Sequence, residues 1–137
     1  MKKILIVGVD SFIGNSLFNY LIKKKIATTG TTRRKETLDQ NRIYFDLEKP
    51  DFDILKNKFS TVIICASITN ILECTNKQVE SKNINVKNTI KLIKALSEEK
   101  IFIIYLSSNA VFDGKKKYYK VSDKTCPLNI YGKMKVE

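Results

Sequence analysis

Three features of the sequence predict a parallel, doubly wound α/β sheet. Short apolar runs are continuous rather than alternating, segments of helical spacing lie between them, and the first run opens into a turn bounded by glycines. The runs are "KILIVGV" (3–9), "STVIICAS" (60–67) and "KIFIIYLSS" (100–108). Continuity is what strands covered on both faces require, as parallel strands usually are.

Taken in order, the chain starts with the strand at 3–9 and the turn "GVDSFIG" (8–14). A helix follows over 16–25, where Leu17, Tyr20, Leu21 and Lys24 are helical neighbours. "IATTGTT" (26–32) is rich in β-branched threonine and reads as a second strand, and "RIYFDL" (42–47) as a short third. The strand at 60–67 comes next, then a helix over 83–100 with Ile84, Ile90, Ile93 and Leu96 on one face, then the strand at 100–108. The charged stretch 113–129 carries a glycine, a proline and many lysines and reads as a surface loop, and a last helix opens near Asn129. That makes at least five strands joined by right-handed crossovers, in one domain spanning 1–137, with no internal repeat.

Composition narrows the function. At 137 residues, 43% hydrophobic and 28% charged, the chain is long enough for one domain with a core and too short for two. "MKKILIVGV" imitates a leader, but Asp10 interrupts the apolar run and no small-residue cleavage site follows. No apolar stretch approaches the roughly 20 residues of a membrane span. A cytoplasmic protein without membrane partners is the expectation. Three cysteines without CxxC spacing and no histidine argue against disulfides and metals. The net charge of +11 is carried by lysines scattered along the chain, which disfavours nucleic acid and suits either a lysine-rich composition or a small anionic ligand.

Three segments carry chemistry. The helix start after Gly8, Ser11, Phe12, Ile13 and Gly14 presents unpaired N–H groups and a positive dipole end, which favour a pyrophosphate. Glycine there serves the tight turn, close approach of the phosphate and helix packing, and Ser11 takes the middle place, where its side chain either crowds a phosphate or bonds it. An ordinary strand-to-helix turn is the plainer reading of this segment alone. "YLSSNAVFDG" leaves a strand with two hydroxyls, Ser107 and Ser108, at the end where open α/β sheets bind ligands; alone, serines ending a strand explain it. Tyr131 and Lys135, four apart, stack on one helix face, where an ammonium lowers a phenol's pKa; the same spacing also occurs on plain amphipathic helices.

In this order and spacing the three segments resemble the extended short-chain dehydrogenase/reductase superfamily. The likeness is to its branch of nucleotide-sugar reductases and epimerases, to which dTDP-4-dehydrorhamnose reductase belongs, and it covers essentially all of 1–137. "GVDSFIG" is similar to the family's glycine motif. "FDL", with Asp46 and Leu47, is similar to the step beside the adenine, and "CASITN", with Ala66, Ser67 and Thr69, to the strand end beside the cofactor. "NINV" carries the helix asparagine, Asn85; "SSNAVFDG" places the catalytic hydroxyl at Ser108; "YGKMK" matches Tyr-x-x-x-Lys. Ser11 and Asn109 depart from the family pattern.

The resemblance implies a Rossmann-like fold and an NAD(P)-dependent reductase or epimerase acting on a nucleotide sugar. Tyr131 would be the general acid and Ser108 would hydrogen-bond the same keto oxygen. Lys135 would hold the nicotinamide ribose and depress the Tyr131 pKa. A binding or regulatory module without turnover is the second reading. Arg33 and Arg34 stand where an acid would bond a ribose 2′-hydroxyl, so NADP(H) is expected ahead of NAD(H). The family continues with another strand and a substrate-binding region. The chain is therefore expected to be C-terminally truncated or half of a split pair, to self-associate or be marginally stable, and to show no measurable 4-keto-sugar reduction alone.

Overall fold

The structure, a computed structural model, describes residues 3–55 and 58–137. Met1 and Lys2, the head of the leader-like opening, lie outside the described residues, as do Lys56 and Asn57. The chain divides into two compact units, Met1–Ser67 with Asn88–Leu106, and Ile68–Lys87 with Ser107–Glu137. Each unit joins stretches distant in sequence, which is why no linker or composition shift announces the division.

The first unit holds the sheet. Its strands are β1 (Ile4–Val7), β2 (Thr28–Thr32), β3 (Arg42–Tyr44), β4 (Thr61–Ile64) and β5 (Phe102–Tyr105), all parallel, in the order β3-β2-β1-β4-β5. The order reverses at β1, so Val7 has Thr31 on one side and Ile64 on the other. This is the doubly wound arrangement, and in sheets of this kind ligands bind outside the carboxyl ends of the strands at the reversal. Leu5, Ile6 and Val7 are fully buried, as central strands of this kind require. Helix α1 (Phe12–Lys23) lays Phe18 and Leu21 on Ile6 and Val9. Helix α4 (Thr89–Glu98) buries Leu92 and Leu96.

Strand β2 is polar in sequence and buried throughout. Its hydroxyls carry the burial because most are hydrogen-bonded: Thr28 donates to the Ile26 carbonyl, Thr31 accepts from the Gly8 N–H, and Thr32 donates to Asp10. Strand β5 departs from expectation. Its apolar run predicted cover on both faces, yet Phe102 is 66% exposed and Ile104 38%, while Ile103 and Tyr105 are half-buried. A continuous run records that side chains are apolar; which faces neighbours cover is a tertiary matter.

The second unit contains two short helices the hydrophobic pattern did not show, α2 (Ile71–Asn76) and α3 (Gln78–Lys82). A signal was present: Asn70 followed by Glu73 is a helix-start pair, and the Asn70 side chain accepts the Glu73 N–H at 3.0 Å. The helix expected over 83–100 opens as a π-helical stretch, Asn83–Asn88, before continuing as α4. Helix α5 (Ile130–Val136) begins where expected, capped by Asn129, which accepts the Gly132 N–H at 2.8 Å. Cys74, Val86 and Met134 form the unit's core, with Ile68, Ile130 and Tyr131 packed around them. The predicted loop after Gly114 is braced by Tyr119, which stacks on Phe112 at 4.3 Å and donates to Asp113, and by a Lys116–Asp123 ion pair at 3.0 Å. Among the described residues no helix is long and apolar enough to cross a membrane.

Candidate active site

In the first unit the glycine turn leaves β1 with Gly8 at φ +92°, a conformation that side chains disfavour. A Cβ on Gly8 would also stand 2.8 Å from Ala66, so the ends of β1 and β4 meet across a gap that admits only hydrogen. A Cβ on Gly14 would stand 2.2 Å from the Gly8 carbonyl oxygen. Ser11 neither projects away nor waits for a phosphate: its hydroxyl donates to the Gly8 carbonyl at 2.8 Å and accepts the Gly14 N–H at 3.1 Å. The helix therefore starts at Phe12, earlier than its apolar spacing suggests, with Ser11 as N-cap. Phe12 and Ile13 occupy the first turn, where an N–H has no acceptor within the helix, and both side chains are exposed. Such a backbone can cradle an anion.

At the end of β2, Arg33 and Arg34 are both exposed, but they share the place with an acid from the turn after β1. Asp10 accepts the Thr32 hydroxyl on both oxygens at 2.9 Å and the Arg33 N–H at 3.1 Å, and it lies 3.9 Å from Arg34 Nε. Asp46 accepts the Glu48 N–H at 2.9 Å, which turns the chain after β3. The Leu47 carbonyl accepts from Asn88 at 2.9 Å, a second asparagine that sequence reasoning missed. Ser67 is half-buried just beyond Ala66.

The second unit holds Ser108, Tyr131, Lys135, Asn85 and Thr69. The Ser108 hydroxyl accepts the Ala110 N–H at 3.2 Å and begins a 3-10 turn, Asn109–Val111. Gly132 lets α5 lie on this turn, since a Cβ there would stand 2.2 Å from the Ala110 carbonyl oxygen. Tyr131 sits half-buried, with Ser108 near enough to act on its phenol. Burial pushes the Tyr131 phenol up from its ordinary value, Ser108 pulls it down by favouring the phenolate, and Cys74 adds a further upward push. Lys135, its Nζ 5.9 Å from the Tyr131 ring centre, is held below the ordinary lysine value by burial. The expected lowering of Tyr131 by Lys135 is not what the structure gives: the phenol is raised, burial of the phenolate being the largest cause, and Lys135 is not among the groups that shift it.

Asn85 is buried, and its side chain holds Ile68 by both backbone groups, accepting the N–H and donating to the carbonyl at 2.8 Å each. In this structure it braces the chain after β4. Thr69 is exposed beside that brace.

The chain matches the family described as the RmlD substrate binding domain over residues 1–137. It is 30% identical to dTDP-4-dehydrorhamnose reductase of Aggregatibacter actinomycetemcomitans, covering 100% of this chain and 45% of that protein. It is 25% identical to methionine adenosyltransferase 2 subunit beta of Bos taurus, covering 99% and 41% respectively. Among solved structures, MoeE5 in complex with UDP-glucose and NAD is 27% identical with a TM-score of 0.86, covering 98% of this chain and 46% of that one. A hypothetical dTDP-4-dehydrorhamnose reductase from Sulfolobus tokodaii, at 24% identity, shares the fold with a TM-score of 0.83, covering 98% and 49%. The resemblance to nucleotide-sugar reductases and epimerases is borne out, and the chain spans under half the length of these relatives.

Proposed function

The chain belongs to the RmlD substrate binding domain family, and on that premise we propose that it carries the dinucleotide-binding and catalytic part of an NAD(P)-dependent nucleotide-sugar reductase or epimerase. The observation that carries the reading is the half-buried Tyr131 with Ser108 near enough to act on its phenol and Lys135 one helical turn on. Relatives support the reading, since one is named dTDP-4-dehydrorhamnose reductase and another is a complex with UDP-glucose and NAD.

The residues present fit a dinucleotide. Gly8 and Gly14 let the turn close tightly, with Gly8 against Ala66 and Gly14 against the Gly8 carbonyl, and the Phe12 and Ile13 N–H groups at the helix start would hold the pyrophosphate. Asp46 and Leu47 would flank the adenine, and Ala66, Ser67 and Thr69 would line the nicotinamide side. Arg33 and Arg34 support a preference for the phosphorylated cofactor through paired N–H donors. When bound, the nicotinamide supplies or takes up hydride at the sugar carbon.

Tyr131 moves a proton to or from the sugar oxygen, and Ser108 hydrogen-bonds that same oxygen. A phenol kept protonated by burial is a competent donor, and Lys135 would hold the nicotinamide ribose. A second reading is a binding module without turnover, favoured by the likeness to a protein named as a subunit beta.

Titration of the purified chain with NADPH and with NADH, followed by nicotinamide fluorescence, should saturate. No saturable change with either would overturn the assignment. Turnover of a 4-keto sugar nucleotide that drops by about 10²–10⁴ in Tyr131→Phe supports the catalytic reading. Dinucleotide binding with turnover indifferent to Tyr131→Phe supports the module.

A further inference from the structure

Strand β2 ends without an acid of its own, yet a carboxylate stands at that end. It is delivered by Asp10 from the turn after β1, the strand beside it, which runs parallel with Val7 opposite Thr31. We propose that Asp10 is a specificity-determining residue for the adenosine ribose, setting how far Arg33 and Arg34 can favour a 2′-phosphate over a 2′-hydroxyl. The proposal rests on the reading of the chain as a dinucleotide-binding protein.

The carboxylate is fixed rather than incidental. Both of its oxygens lie 2.9 Å from the Thr32 hydroxyl, and one accepts the Arg33 N–H at 3.1 Å. The Thr32 hydroxyl itself accepts the Arg34 N–H at 3.0 Å, and its neighbour Thr37 turns its own proton to the Arg34 carbonyl at 2.8 Å. The Thr32 proton is therefore directed at Asp10, and Thr32 is 1% exposed, so the donor does not wander. Arg34 Nε lies 3.9 Å from Asp10.

The side chain of Asp10 keeps 30% of its surface, which leaves lone pairs for a ligand. An ionised carboxylate accepts hydrogen bonds and donates none. It suits a ribose 2′-hydroxyl and opposes a 2′-phosphate, whose charge near neutrality is about −1.5 to −2. Arg34 has to serve Asp10 and a phosphate at once. The site thus combines an attractive element for the phosphorylated cofactor with a repulsive one, and the ratio of the two affinities reads their balance.

The experiment compares dissociation constants for NADPH and NADH in the wild-type chain, Asp10→Asn and Arg34→Ala. Asparagine keeps an oxygen for Thr32 and Arg33 but removes the charge. Asp10→Asn should shift the ratio toward NADPH by about tenfold, mainly by tightening NADPH, and Arg34→Ala should shift it the other way. Should Asp10→Asn fail to fold, Asp10→Ser removes the same charge with a smaller side chain and carries the comparison. A ratio unchanged by removal of the carboxylate overturns the role of Asp10 while leaving dinucleotide binding standing. A wild-type chain that binds neither dinucleotide overturns both.

Discussion

Ser11 shows how the glycine turn manages without its middle glycine. Its hydroxyl closes the turn on itself, bonding the Gly8 carbonyl and the Gly14 N–H, so the first helix begins with a cap and the N–H groups proposed to hold a phosphate are those of Phe12 and Ile13. Ser11→Ala should therefore cost about 1 kcal/mol in urea unfolding and change dinucleotide affinity only a few-fold, whereas Ser11→Gly should cost a few tenths. A loss of binding in Ser11→Ala would mean that the hydroxyl contacts the ligand directly. Lys135 gives a pH prediction. Burial depresses its pKa in the folded chain below the ordinary 10.5, so the unfolded chain holds this proton more tightly. Charged Lys135 costs stability at neutral pH, and the cost fades as pH rises toward 10.5. Lys135→Met should raise the urea midpoint at pH 7, with the gain shrinking as pH approaches that value; Tyr131 runs oppositely, its contribution being lost as pH climbs through its raised value. Ser108, Tyr131 and Lys135 are proposed from spacing and resemblance, and the second unit holds all three. Asp10 and Asn88 were not legible in the sequence, because their partners lie 22 and 41 residues away.

Among the elements, α5 carries the most chemistry in the fewest residues. Its start is written locally in Asn129, but its position depends on Gly132 lying against the Ala110 carbonyl. Gly132→Ala should destabilise the chain by about 1–3 kcal/mol and move Tyr131 off Ser108, seen as a drop in the midpoint and a changed Tyr131 titration. An unaltered midpoint would show that the helix can slide away without loss. The π-helical stretch before α4 was equally hidden. Its sequence, NINVKN, fits an ordinary helix, and the hydrogen bonds Asn85 makes to Ile68 and Asn88 makes to Leu47 come from outside the helix. The short helices α2 and α3 escaped the periodicity because each is too brief to display a face, although their cap was readable.

For the molecule as a whole, the net charge of +11 bears on any anionic ligand. Dinucleotide affinity should weaken several-fold as ionic strength rises from about 0.05 to 0.5 M, because screening shortens the reach of the lysines. A salt-independent affinity would confine recognition to the buried contacts. The sequence by itself determined the succession of strands and helices, the parallel doubly wound class and the family motifs, because apolar continuity, glycine placement and capping act over a few residues. Tertiary structure alone decided that β5 leaves Phe102 and Ile104 exposed, that the chain forms two compact units from interleaved stretches, and that burial raises the Tyr131 phenol. It also decided that the acid at the end of β2 comes from Asp10 on the turn after β1. Cover, desolvation and hydrogen bonds between distant residues depend on which segments meet in space, and spacing along a chain does not record that.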